Sequence, residues 1–314
     1  MPYWDVVTRS FKIAWNHKYL WLIALFSGES GGNLSLNYSQ PISKTPDLNA
    51  MQEQVTSWVS DHTGLIVALG FTWVVLAIGL FLLGAVSEGA TIRGSAEHDA
   101  ERPFGLRRAW TMGVHTIWAI VRFRLVLLAL YLPLFVLIVA WLLGLVIALL
   151  RQDAGLLLSL VLGGLLLVLV FFLYAIYLLF IDRFGSRAVI LEERKALPAV
   201  ARAHRLLFKR FGRSLLVLIL SLAIAFAIVI VLGCLSSVLI LPLLLALYAT
   251  SATGSAAFWP VVIVTAIVLV PIYLVIGGFL AAQSSTYWTL AFRRLDVDYA
   301  PAYVTPAYPP YPTS

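Results

Sequence analysis

Residues 125–181 read LVLLALYLPLFVLIVAWLLGLVIALL, then RQDA, then GLLLSLVLGGLLLVLVFFLYAIYLLFI. These are two apolar runs, Leu125–Leu150 and Gly155–Ile181, joined by Arg151-Gln152-Asp153-Ala154. A helix rises ~1.5 Å per residue, so about 20 apolar residues cross a ~30 Å hydrocarbon core. Each run is long enough to cross, and a four-residue link forces the second back beside the first. The unit is a transmembrane helical hairpin.

Three more runs meet the same length test: Gly64–Ala90, Leu215–Leu247 and Phe258–Leu290. A sixth candidate, residues 13–27, is weaker. Its clean apolar part is only Tyr19–Phe26, and Lys18 must snorkel to the interface if it crosses. Composition agrees with a membrane protein. The chain is 61% hydrophobic and 12% charged, against about 25% charged in soluble domains. Arg9, Lys12 and Lys18 ahead of Tyr19–Phe26 resemble a secretory signal, but no A-x-A site follows and the flank keeps helical spacing, so a retained first helix is expected.

Charge supplies the orientation. Of the 22 Lys and Arg, all but Lys44 and Arg151 fall on one side when the six spans are threaded. By the positive-inside rule that side is the cytoplasm. Residues 27–63, with four acids and one Lys, read as an outside loop. The expected fold is therefore all-α: a polytopic bundle of six spans, both termini inside. The spans are placed at about 13–27, 64–90, 125–150, 155–181, 215–247 and 258–290. Residues 1–295 form the membrane domain. Residues 296–314 form a Pro/Tyr-rich tail expected to be disordered on the inner side. The net charge of +7 lies in short segments between spans, which argues against nucleic acid.

Three basic segments carry apolar stripes at helical spacing and read as amphipathic elbows on the inner leaflet. Pro103 opens one, with Trp110, Val114, Ile117, Trp118 and Val121 on its apolar face. Pro198 opens another, with Val200, Leu207, Phe208 and Phe211. Trp4–Trp15 is the third. Each precedes a pair of spans, so the chain reads as three elbow-hairpin units. Arg107, Arg108, Arg202, Arg205 and Lys209 are the expected contacts to anionic lipid.

Phe11-Lys-Ile-Ala-Trp-Asn-His-Lys-Tyr-Leu-Trp21, the Pro-led basic elbows and Ser284-Ser-Thr-Tyr-Trp-Thr-Leu-Ala-Phe-Arg-Arg-Leu295 carry a resemblance. The chain resembles the membrane domain attached to some glycerophosphoryl diester phosphodiesterases, and related stand-alone prokaryotic membrane proteins. The catalytic domain has no counterpart here. The resemblance implies an accessory membrane module and transfers no catalytic residue.

Chemical motifs are sparse. The five His are scattered, with no H-x-x-x-H pair, and no metal site or cofactor is expected. Phe184-Gly185-Ser186-Arg187 is an incomplete nucleophile elbow. Cys234 reads as a small packing residue, and Glu192-Glu193 as partners of Arg194 and Lys195. Polar groups inside a membrane are costly, which singles out Glu88, Asp182 and Gln283 as candidate site residues. Their structural readings are an ion pair of Glu88 with Arg93 or an elbow arginine, a flanking charge at Asp182, and helix glue at Gln283. The leading functional reading is a non-catalytic plasma-membrane protein organising lipids or an inner-side partner, which the Pro/Tyr tail could recruit. The alternatives are a carrier with its site among the hairpins and, third, an intramembrane enzyme.

Overall fold

The computed structural model describes residues 3–27, 56–252 and 258–295, and among them every regular element is a helix. The helices are α1 (Tyr3–Asn16), α2 (Tyr19–Ala24), α3 (Thr63–Asp99), α4 (Leu106–Arg151), α5 (Ala154–Leu191), α6 (Ala196–Lys209), α7 (Phe211–Ala252) and α8 (Phe258–Leu295). Five are long and apolar enough to cross a membrane: α3, α4, α5, and the stretches Phe211–Cys234 of α7 and Ala266–Leu295 of α8. Residues 28–55 of the expected outside loop, and the tail 296–314, lie outside the described residues.

The hairpin at 125–181 forms as read. Gln152 adopts a left-handed conformation at the end of α4, and Asp153 caps α5 by accepting from the Leu156 amide at 3.0 Å. Trp141 Nε1 donates to the Leu160 carbonyl at 3.0 Å, and the Tyr174 hydroxyl donates to the Leu130 carbonyl at 2.8 Å. Both bonds tie the antiparallel pair. Gly164 lies against the Trp141 ring, where a larger side chain would not fit.

Two expected boundaries differ. Residues 13–27 do not form a continuous span. The chain breaks at His17-Lys18, leaving a 14-residue α1 and a six-residue α2, and six residues rise only ~9 Å. The Trp21 indole folds back to donate to the Ala14 carbonyl at 2.6 Å, which helps satisfy the end of α1. The Pro103 elbow is not a separate helix either. Residues 106–151 run as one 46-residue helix, because Arg122-Phe123-Arg124 contains no breaker. The Pro198 elbow does separate, as α6, where Arg210 leaves helical geometry before α7.

Packing divides the molecule along its length. Buried residues concentrate at the basic ends of the helices: 84–96 of α3, 109–127 of α4, 178–191 of α5 and 281–295 of α8. α1, α2 and α6 complete this body. Phe184 and Trp288 meet edge to face at 5.9 Å in its centre. The apolar ends are the opposite: none of the most apolar 18-residue stretch of α3 is buried. Such surface is stable only against hydrocarbon or another apolar face. Cys234, expected to pack inward, is exposed on α7.

The Tyr287 hydroxyl donates to the Val217 carbonyl at 2.8 Å, joining α8 to α7 inside the body. Tyr287→Phe should cost about 1 kcal/mol, read as a lower melting temperature in detergent with the helical circular dichroism unchanged.

Candidate functional site

The sequence candidates sit at the junction between the packed body and the apolar spans. Glu88 is buried on α3. Of the two kinds of partner expected for it, the structure selects the elbow arginine. Arg124 of α4 reaches Glu88 Oε2 through Nη2 at 2.6 Å and through Nε at 3.2 Å. Arg93 lies five residues along α3, about 140° round the helix from Glu88, and pairs instead with Glu97 at 3.5 Å. Arg124 Nη2 also donates to the Ser27 carbonyl at 3.4 Å, and its guanidinium lies 5.9 Å from the Phe81 ring centre. One arginine thus joins α3, α4 and the segment after α2.

Gln283 is buried on α8 and donates from Nε2 to Ser10 Oγ of α1 at 3.3 Å. It belongs to a polar seam that includes the Ser95–Thr286 hydroxyl pair at 2.9 Å. Asp182 is half-buried on α5. Glu88 and Gln283 are each engaged in helix packing, with different partners. Ser186 lies mid-helix in α5, away from any strand-to-helix elbow. The neighbouring Arg187 is fully buried and donates to the Arg183 carbonyl at 3.0 Å and the Ser285 carbonyl at 3.3 Å.

The five basic elbow residues separate into two kinds. Arg107, Arg108, Arg205 and Lys209 are exposed. Arg202 is drawn inward and bonds Glu192 at 3.3 Å, and Glu192 also pairs with Arg194. On the elbow stripes Trp110, Val114, Trp118, Phe208 and Phe211 are exposed, whereas Leu207 is buried in the body. Trp4 and Trp15 of α1 are exposed as well. The basic end therefore presents alternating aromatic and cationic side chains.

Two clusters escaped the sequence reading because their members are distant in the chain. His17 and His98 stack face to face, with ring centres 3.5 Å apart and planes 8° from parallel. The Tyr19 hydroxyl lies 2.6 Å from His98 Nε2. Burial holds His17 below its ordinary pKa and Tyr19 above its own. The two histidine rings border an open cleft of about 420 Å³ beside Arg9 and Lys12. Parallel stacked rings do not converge on one metal ion, and no group of three metal-ligating side chains occurs among the described residues. The second cluster is ionic. Arg9 and Arg293 share Asp99 at 2.8 and 2.5 Å, and Arg93 and Arg102 share Glu97. Only the basic charge of these segments was visible beforehand, not their convergence.

A family model described as "Family of unknown function (DUF7544)" matches residues 8–292. No curated protein and no solved structure matches the chain.

Proposed function

The chain belongs to the DUF7544 family, and from that premise we propose that it is a non-catalytic, multi-pass protein that organises anionic lipid. It would sit in a prokaryotic plasma membrane with its packed body towards the cytoplasm. The observation that carries this reading is the surface of the basic end. Trp15, Trp118, Phe208 and Phe211 are exposed there, together with Lys12, Arg107, Arg108, Arg205 and Lys209. Amphipathic rings favour the headgroup layer, and cations beside them favour anionic lipid, at roughly 1 kcal/mol each near the surface. The body that holds this surface is packed around one buried cluster. The engagement of Glu88 and Gln283 in that packing supports the scaffold reading over a carrier built on those two residues.

The test is lipid retention. The protein carrying Arg107→Gln, Arg108→Gln, Arg205→Gln and Lys209→Gln should purify with several-fold less anionic lipid, measured by mass spectrometry. Arg202 is left unchanged because its bond to Glu192 is structural. Anionic-lipid retention equal to that of the unaltered protein would overturn the proposal.

A further inference from the structure

We propose that the cavity at the basic end of α3 and α8 is a binding site for a phosphate group. Arg93 and Glu97 of α3, Arg102 of the α3–α4 link and Arg293 of α8 line it, with Ala96 and Leu191 as apolar walls. The site shares no lining residue with the aromatic–cationic surface and stands without the lipid reading.

Local backbone geometry builds it. α3 ends with Glu101 in the left-handed region, φ 58°. The Arg102 amide then donates back to the Glu97 carbonyl at 3.0 Å, and the Glu101 amide to the His98 carbonyl at 3.1 Å. This helix-stopping turn satisfies terminal carbonyls. It also folds Arg102 over the end of the helix, towards Arg93, which lies further back in α3. α8 runs alongside and supplies Arg293, held by the Ala96 carbonyl at 3.1 Å and Asp99 at 2.5 Å.

Three arginines and one carboxylate, Glu97, therefore line the cavity, and Arg293 is paired with Asp99. Glu97 is shared by Arg93 and Arg102, and both separations are 3.5 Å. A well-made charge-assisted bond is about 2.7–2.9 Å, so the contacts that Glu97 makes to the two arginines are long ones. Side-chain exposure is only 12% for Arg93 and 20% for Arg293, so the cationic charge is partly desolvated. An entering anion gains more there than at an open surface. Planar guanidinium forks match the oxygen edges of phosphate.

Size narrows the ligand. The cavity volume is about 30 Å³ for water-sized occupancy, whereas a site for a single water needs ~10–15 Å³ on that measure. It admits one oxyanion head and not a whole nucleotide or sugar. The phosphate is therefore either a free ion or the terminal group of a lipid whose remainder stays outside.

The full chain in detergent, titrated with inorganic phosphate, should show a saturable rise in melting temperature. Sodium chloride at matched ionic strength should not reproduce it. Arg102→Gln, at a side chain nearly half exposed, should weaken phosphate binding about tenfold, the loss of one charge-assisted bond pair. Glu97→Gln should tighten it several-fold by removing the competing carboxylate, a gain that a purely structural role would not produce. In nanodiscs, displacement of bound phosphatidic acid by inorganic phosphate would identify a lipid headgroup as the source. Phosphate binding without such displacement would identify the free ion. No saturable effect beyond chloride, or equal phosphate binding by the unaltered, Arg102→Gln and Glu97→Gln proteins, would overturn the proposal. The detergent titration contains no lipid arm, so its failure is distinct from failure of the lipid reading.

Discussion

Arg124→Gln should destabilise the protein by about 3–5 kcal/mol, because it removes the arginine that pairs with the buried Glu88 carboxylate. The side chain of Glu88 is 5% exposed and that of Arg124 is 32% exposed. That asymmetry sets the order of the two single variants. Glu88→Gln leaves Arg124 able to turn towards water or headgroups and to keep its contact with the Phe81 ring, so its cost should be clearly smaller. The double variant Glu88→Gln, Arg124→Gln should recover much of the loss of Arg124→Gln, since no buried charge remains. Melting temperatures of the three variants in one detergent check the ranking. Equal losses in the two single variants would show that the pair does not control this junction. A Glu88→Gln protein that melted normally but lost a measured transport activity would instead revive the carrier reading.

Gly113→Ala should weaken the α3–α4 packing by about 1–3 kcal/mol, the usual cost of overfilling a tight contact. The added methyl would meet the Val86 backbone carbonyl, with the Ala90 side chain beside it. A backbone carbonyl inside a helix cannot rotate away, so the helices must part. Gly163→Ala provides the opposite sign. Nothing lies within 4 Å of that position, and replacing an exposed helical glycine with alanine stabilises by up to ~1 kcal/mol. Comparable effects in the two variants, by chemical or thermal unfolding, would refute the close approach of α3 and α4 at Gly113.

The hairpin at 125–181 was legible because hydrophobic length and a short link act locally, through chain geometry alone. The same applies to the long apolar parts of α3, α7 and α8. The weaker first span was not secure for an equally local reason. Polar Asn16-His17-Lys18 interrupts a short apolar run, and the structure bends there to form α1 and α2. The continuity of α4 through Arg122 and Arg124 was hidden because charge was taken to mark a boundary. A helix that extends into a packed body carries charge without breaking.

Site chemistry was less visible. Glu88 could be singled out as a polar residue in an apolar run, and Gln283 likewise. Their partners, Arg124 and Ser10, are 36 and 273 residues away, beyond any periodic signal. The stacked pair of His17 and His98, the sharing of Glu97 by Arg93 and Arg102, and the sharing of Asp99 by Arg9 and Arg293 are of the same kind.

The sequence by itself determined a helical membrane protein with one strongly basic end, since apolar length and loop charge act through the solvent rather than through specific partners. Tertiary structure alone decided that the basic ends of α3, α4, α5 and α8 pack into a body while their apolar ends stay open. It also decided which arginines are neutralised inside that body and which line its surface or its cavity. Those outcomes depend on helix rotation and depth, through contacts such as Gly113 against Val86, and no local pattern of residues encodes them.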